Sequence, residues 1–161
     1  MNKQPLSKSA QSAHDALTKK GLGFEVLELS SSTRTANDAA TTIGCELAQI
    51  VKSLLFRSTT ANQPVLILAS GINRVNEKTI EQLVGEKITK ADANFTREIT
   101  GFAIGGVPPV GHAQTIQTIF IDEDLLKFDT LWAAAGTPNA VFSLCSSKLR
   151  NLTNGKIVSI K

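Results

Sequence analysis

Between Gly105 and Gly111 the chain sets three glycines and two prolines within seven residues, Gly105-Gly106-Val107-Pro108-Pro109-Val110-Gly111, and follows them with His112. Glycine permits positive φ and lets a ligand come close to main-chain N–H groups. Proline fixes its own φ and biases the preceding residue toward extended backbone. A loop that combines the two is permissive at chosen points and stiff elsewhere. It suits holding backbone donors around a small polar group, and it suits equally a tight connection between two elements. Well upstream, Lys52 stands in Val51-Lys52-Ser53-Leu54-Leu55-Phe56, where a polar segment becomes an apolar strand. A rigid strand there would project an ammonium into a cleft, toward an anionic or developing oxyanionic group. Alternatively, the lysine is a boundary charge that snorkels to solvent.

Other chemistries lack their residues. The sequence has no phosphate-binding GxxxxGK[ST] loop, no GxGxxG, no HExxH and no GxSxG. A Ser-His-Asp triad would have to recruit His14, which rides a predicted helix, or His112. Cys45 and Cys145 show neither a CxxC nor a Cys/His spacing, so no zinc site or disulfide framework is indicated. The apolar setting of Cys145 predicts a buried, inert thiol; Cys45, after Gly44, falls at a helix boundary. No metal and no cofactor is expected. What remains is a site of backbone donors, one cation and water.

Bulk properties agree with one globular domain over residues 1–161: 42% hydrophobic, 19% charged, mean hydropathy +0.01. No apolar run reaches the ~20 residues that cross a bilayer, and the polar start does not resemble a signal peptide, so a cytoplasmic protein without membrane contact is expected. A net charge of +3 and a pI near 9.0 are compatible with touching phosphates, though far from a nucleic-acid-coating arm. Aromatics are 5% with no tyrosine, so stacking many bases on rings is poorly supplied. The basic residues most available to nucleic acid are Lys148, Arg150 and Lys156, with Lys19 and Lys20 on the first helix.

Periodicity supplies the elements that must position these groups. Helices are predicted over 5–20, 36–43 (capped by Thr35, closed by Gly44), 76–84, from the cap Asp92 through Glu98 to an end near Gly101, and from Ser146, with a helical turn over 47–51 and another starting at 122–124. Strands are predicted over 24–29, 53–58, 65–69, 87–90, 115–121, 130–134, 141–144 and 157–160, and a polar loop over 30–33. Paired strands with irregularly interspersed helices argue for an α+β domain with a mixed, largely antiparallel sheet.

Lys52-Ser53-Leu54 after a short helix, then Leu68-Ala69-Ser70-Gly71, then Gly105-Gly106-Val107-Pro108-Pro109-Val110-Gly111 resemble the YbaK/prolyl-tRNA-editing family, relatives of the editing insertion domain of bacterial prolyl-tRNA synthetases. The likeness runs from about Phe24 to the C-terminus. It implies an α+β domain with a curved mixed sheet or partial barrel flanked by helices. It implies hydrolysis of mischarged aminoacyl-tRNA in trans, without metal or cofactor; aminoacyl-tRNA is the partner, prolyl-tRNA synthetase is a candidate second one, and whether a synthetase delivers the tRNA stays open. By the same resemblance Lys52 holds the tRNA 3′ end or substrate. Gly105 and Gly106, with Val107, Pro108, Pro109 and Gly111, surround the aminoacyl ester, and Ser53 adjoins the substrate.

Members that remove cysteine carry a tyrosine in the first strand and an aspartate after the late glycine turn, where this chain has Leu29 and Val141. The resemblance therefore points away from the cysteine-specific subtype. If Leu29, Ile72 and Val141 face the site, they suit a small aliphatic side chain such as alanine or 2-aminobutyrate. His112 either contacts substrate or only leaves the loop. Two other readings stand beside the deacylase: a non-catalytic module that binds tRNA ends or nucleic acid on the same fold, and an unrelated small hydrolase or small-molecule-binding domain whose loop is only a turn.

Overall fold

Val65-Leu66-Ile67-Leu68-Ala69 is an unbroken apolar run, and such a strand belongs in a sheet covered on both faces. In the computed structural model, which describes residues 7–19, 25–29 and 35–161, it lies within strand β3 (Pro64–Ser70). Leu66 and Leu68 enter one core with Leu131, Phe142 and Leu149; Val65, Ile67 and Ala69 enter another with Phe56, Ile80 and Ile160. The sheet is therefore packed from both sides at its centre.

The remaining elements follow in chain order: α1 (Lys8–Lys19), β1 (Val26–Glu28), α2 (Ala36–Ile43), a 3-10 turn (Leu47–Gln49) and β2 (Ile50–Ser58). After β3 come α3 (Glu77–Val84), β4 (Ile88–Lys90), α4 (Ala93–Thr100) and β5 (Thr118–Asp122). A second 3-10 turn (Glu123–Lys127), β6 (Thr130–Ala134), β7 (Ala140–Cys145), α5 (Ser146–Thr153) and β8 (Lys156–Val158) complete the chain. Among the described residues eight strands form one mixed sheet, ordered β1-β7-β6-β2-β3-β5-β8, with β4 pairing β2 off that path. β1–β7, β2–β3, β2–β4 and β6–β7 are antiparallel; β2–β6, β3–β5 and β5–β8 are parallel. The α+β expectation holds. Among the described residues no helix is long and apolar enough to cross a membrane.

Local signals place the helix ends where the sequence puts them. Thr35 accepts from the Asp38 N–H, Asn76 from those of Lys78 and Thr79, and Asp92 from that of Phe95 at 2.7 Å. Ala10, Ala13 and Leu17, the predicted apolar stripe of α1, are buried. Replacing Asp92 by Ala removes one cap acceptor and is expected to lower stability by about 1 kcal/mol, read as a shifted urea midpoint at unchanged slope.

Four expectations are corrected. The helical turn over 47–51 stops at Gln49, because Ile50 and Val51 are drawn into register with Trp132 and Ala133 of β6. The strand predicted from Thr115 begins at Thr118, opposite Val65, where β3 itself begins; residues 115–117 have no strand beside them. The last strand is Lys156–Val158 and not 157–160, since its partner β5 ends at Asp122, which caps the second 3-10 turn; Ile160 is buried in the second core. Cys145 is exposed, because it follows inward-facing Leu144 at the strand end and alternation turns it outward. The predicted loop over 30–33, Phe24, Pro5 and Lys20 lie outside the described residues.

Candidate active site

The site begins with an interruption in the pairing of β2. On one edge β2 is registered with β3 from Val51 to Arg57. On the other edge β6 reaches only Ile50 and Val51, and β4 only Phe56 to Ser58. The Ile50 carbonyl accepts from Gly71 beyond β3, whereas the Leu55 carbonyl accepts from Ala91 on the opposite edge. Strand groups alternate in direction, so the N–H and C=O of Ser53 point to the interrupted edge, where no strand is registered. A cavity of about 790 Å³ opens there. It is lined by Lys52 and Ser53 of β2, Gly105 and Val107 of the glycine-proline loop, and Val141 of β7.

Lys52 and Ser53 leave β2 on opposite faces. Lys52 shares its face with Leu54 and Phe56 toward the second core, while Val51 and Leu55 belong to the first, as does Val107. Lysine and loop nevertheless border one cavity, because the sheet is open at this edge. The Lys52 Nζ donates to the Asn73 carbonyl at 2.7 Å. Burial pushes its pKa below the ordinary lysine value, and the nearby charge of Arg74 pushes the same way. Arg74 and Lys90 also line the cavity. Glu77 lines the cavity as well, and the charge of Asp122 pulls the Lys52 pKa back up, so three cations face one lining carboxylate and the balance favours the entry of an anion. The Oγ of Ser53 is buried and, among the described residues, has no hydrogen-bond partner.

The two adjacent glycines differ in what they do. Gly105 has φ +89° and faces the cavity; among the described residues its N–H donates to no protein acceptor. The Gly106 N–H donates to the Ala103 carbonyl at 3.0 Å, and its own carbonyl accepts from Gly136 at 2.8 Å. Gly106 is thus not a free donor. It is the point where the loop lies flat on the late Gly136-Thr137-Pro138 turn, and a Cβ there would stand 2.6 Å from the Gly136 oxygen.

Several expected contacts fall outside the cavity lining: Gly106, Pro108, Pro109, Gly111, His112, Leu29 and Ile72. Past Val107 the loop turns toward α1, where Gly111 lies so close to Ala16 that a Cβ would meet its methyl at 2.6 Å. His112 Nε2 is 2.7 Å from the Pro108 carbonyl and braces the loop. Leu29 packs with Ala39, Ala40, Ile50 and Trp132, and Ile72 is 60% exposed. Neither histidine nor either cysteine lines the cavity, and burial raises the Cys45 thiol, away from a nucleophile's range.

Residues 30–152 match the aminoacyl-tRNA editing domain family. The chain belongs to that family. The editing domain is 35% identical over 133 residues to the Bacillus subtilis protein YwhH, whose function is uncharacterised, covering 83% of each chain. It is 30% identical over 95 residues to a proline–tRNA ligase of Limosilactobacillus fermentum, a stretch that is 56% of this chain and 16% of the ligase. A crystal structure described as a candidate trans-editing enzyme for prolyl tRNA synthetase superposes with a TM-score of 0.93 at 44% identity, covering 98% of this chain and 99% of that one.

Within this editing domain, sequence reasoning missed Arg74, Lys90, Trp132 and Pro138, all of which line the cavity. They lie on four separate segments, and no spacing in the sequence connects them. A basic residue directly after the Ser70-Gly71-Ile72-Asn73 loop was the one available hint for Arg74.

Proposed function

We propose that this protein is a hydrolase that deacylates mischarged aminoacyl-tRNA in trans, with tRNA(Pro) carrying Ala, 2-aminobutyrate, Cys or Ser as its substrate class. The observation that carries the reading is the edge of β2 left without a strand at residues 52–55, which turns the Ser53 N–H toward a cavity shared with the Lys52 ammonium and Gly105. Aminoacyl esters are already activated, so catalysis needs a positioned water and donors for the tetrahedral oxyanion. Water adds to the ester carbonyl carbon, and the N–H groups of Ser53 and Gly105 take the charge that develops on the carbonyl oxygen. The bond to the ribose oxygen then breaks. The free vicinal hydroxyl of the terminal ribose orients the water and relays its proton to the leaving oxygen, releasing the amino acid and intact tRNA. No histidine base is required.

Lys52, with Arg74 and Lys90 along the same cavity, supplies positive charge for the 3′-terminal phosphates. Val51, Val107, Ala133 and Val141 give an apolar wall that suits a small aliphatic side chain. The test is release of amino acid from mischarged tRNA(Pro) above the spontaneous rate, with the tRNA recovered in rechargeable form.

A binding consequence follows from the few cations. Uncharged tRNA should bind weakly, with log K falling against log salt at a slope of about −2, as expected for roughly three neutralised phosphates on a single strand. Filter binding across a salt series measures it. Nanomolar affinity at physiological salt with a steep slope would favour a nucleic-acid-binding module instead.

A further inference from the structure

Behind Lys52 lies a buried polar cluster that the deacylation scheme does not use. Asp122 is fully buried; its Oδ2 accepts from the Ser70 N–H at 3.0 Å and from Asn73 Nδ2 at 2.8 Å, and its Oδ1 accepts from the Asp124 N–H at 3.0 Å. The same Asn73 amide donates to Asp124 Oδ2 at 2.7 Å. Asp124 is held in turn by Lys127 at 2.9 Å and by Lys161 at 3.0 Å. Those two ammonium groups and the Asn73 amide keep the Asp124 carboxyl far below the ordinary carboxylate range, so it stays an acceptor at all working pH.

An amide NH2 has two hydrogens, and here each goes to a different carboxylate. The Asn73 side chain is therefore fixed from two directions, while its main-chain carbonyl is the acceptor for Lys52 Nζ. Ser70 and Asn73 bracket the turn that carries that carbonyl, and Asn73 N–H closes the turn on the Ser70 carbonyl at 3.0 Å. A lysine has several rotatable bonds and is otherwise free to leave the cavity. We propose that Asn73, clamped by Asp122 and Asp124, is a positioning residue that aims the Lys52 ammonium at the substrate by fixing the carbonyl to which it is bonded. The cluster draws on the end of β3, β5, the second 3-10 turn and Lys161.

The experiment has two arms. The kinetic arm rests on the deacylase reading above; the spectroscopic arm does not. In the kinetic arm, Asn73→Ala is made in the native and in the Lys52→Ala background. Expected is a loss of kcat of about 10-fold with KM little changed in the native background, and less than about 2-fold further loss where Lys52 is already absent. Equal losses in both backgrounds would reduce Asn73 to a structural residue and overturn the proposal, as would unchanged kcat. In the spectroscopic arm, the ¹⁵Nζ ammonium resonance of Lys52, assigned by its disappearance in Lys52→Arg, should be protected from exchange in the native protein and lost in Asn73→Ala. Its persistence in that variant would overturn the proposal whether or not the protein deacylates tRNA. If the native protein shows no deacylation, the function fails and this second arm alone decides the positioning. Should Asn73→Ala not fold, Asp124→Asn serves in both arms. An amide there cannot accept from Asn73, Lys127 and Lys161 together, so the same changes are expected at reduced size, and an unaltered Lys52 resonance with unaltered kcat would count against the clamp.

Discussion

Lys52→Ala is expected to lose deacylation by ~100-fold or more, the scale of misplacing the reacting ester by about 1 Å once the cation that holds the 3′-terminal phosphates is gone. The fold should survive. Its Nζ makes one hydrogen bond, to the Asn73 carbonyl, and burial already disfavours its charge, so truncation removes a desolvated cation along with that bond. Melting temperature should therefore change little while turnover collapses. Lys52→Arg keeps the charge but not the compact ammonium geometry and should recover only part of the rate. Single-turnover hydrolysis of mischarged tRNA(Pro), read beside thermal unfolding of each variant, measures both quantities. Native turnover in Lys52→Ala would return Lys52 to the status of a boundary charge.

Gly106→Val should be nearly as damaging, by a different route. The added Cβ would meet the Gly136 oxygen at 2.6 Å and the Gly136 carbonyl carbon and Thr137 Cα at 2.8 Å, all of them backbone. None of these atoms can swing aside, so the loop and the late turn must separate and the 2.8 Å bond between Gly136 and Gly106 breaks. Gly105 and Val107 move with the loop, and a displacement of about 1 Å at a positioned donor costs on the order of 100-fold in rate. At Gly105 the space is adequate, since a Cβ would lie 3.5 Å from Pro138; the difficulty is φ +89°. Gly105→Asn, which tolerates the left-handed region, should accordingly be milder than Gly105→Val. Comparable activity in Gly106→Val and the native protein would show that the loop is only a connection.

How much of this was legible beforehand depends on whether the signal is local. Thr35, Gly44, Asn76, Gly85 and Asp92 act within a few residues of themselves, and the helices they bound are found where they point. Ser53 was named from its neighbour Lys52, yet what matters at Ser53 is the missing strand beside it. That gap is created by β6 and β4 stopping short, a long-range register with no trace in local periodicity. Leu29 and Ile72 are candidates only if they face the site, and each is directed elsewhere, one into packing on Ala39, Ala40 and Ile50 and the other to solvent. The clamp on Asn73 joins residues about fifty apart in sequence, and only folding brings Asp122 and Asp124 to it.

The most direct test of the central claim is single-turnover deacylation by the native protein of tRNA(Pro) charged in turn with Ala, 2-aminobutyrate, Cys, Ser and Pro. A cavity that stabilises the oxyanion and accepts a small side chain should release at least one of the first four at ~100-fold or more above the spontaneous rate, while Pro-tRNA(Pro) persists. Spontaneous rates for all five esters, with the protein folded and in excess, would contradict it.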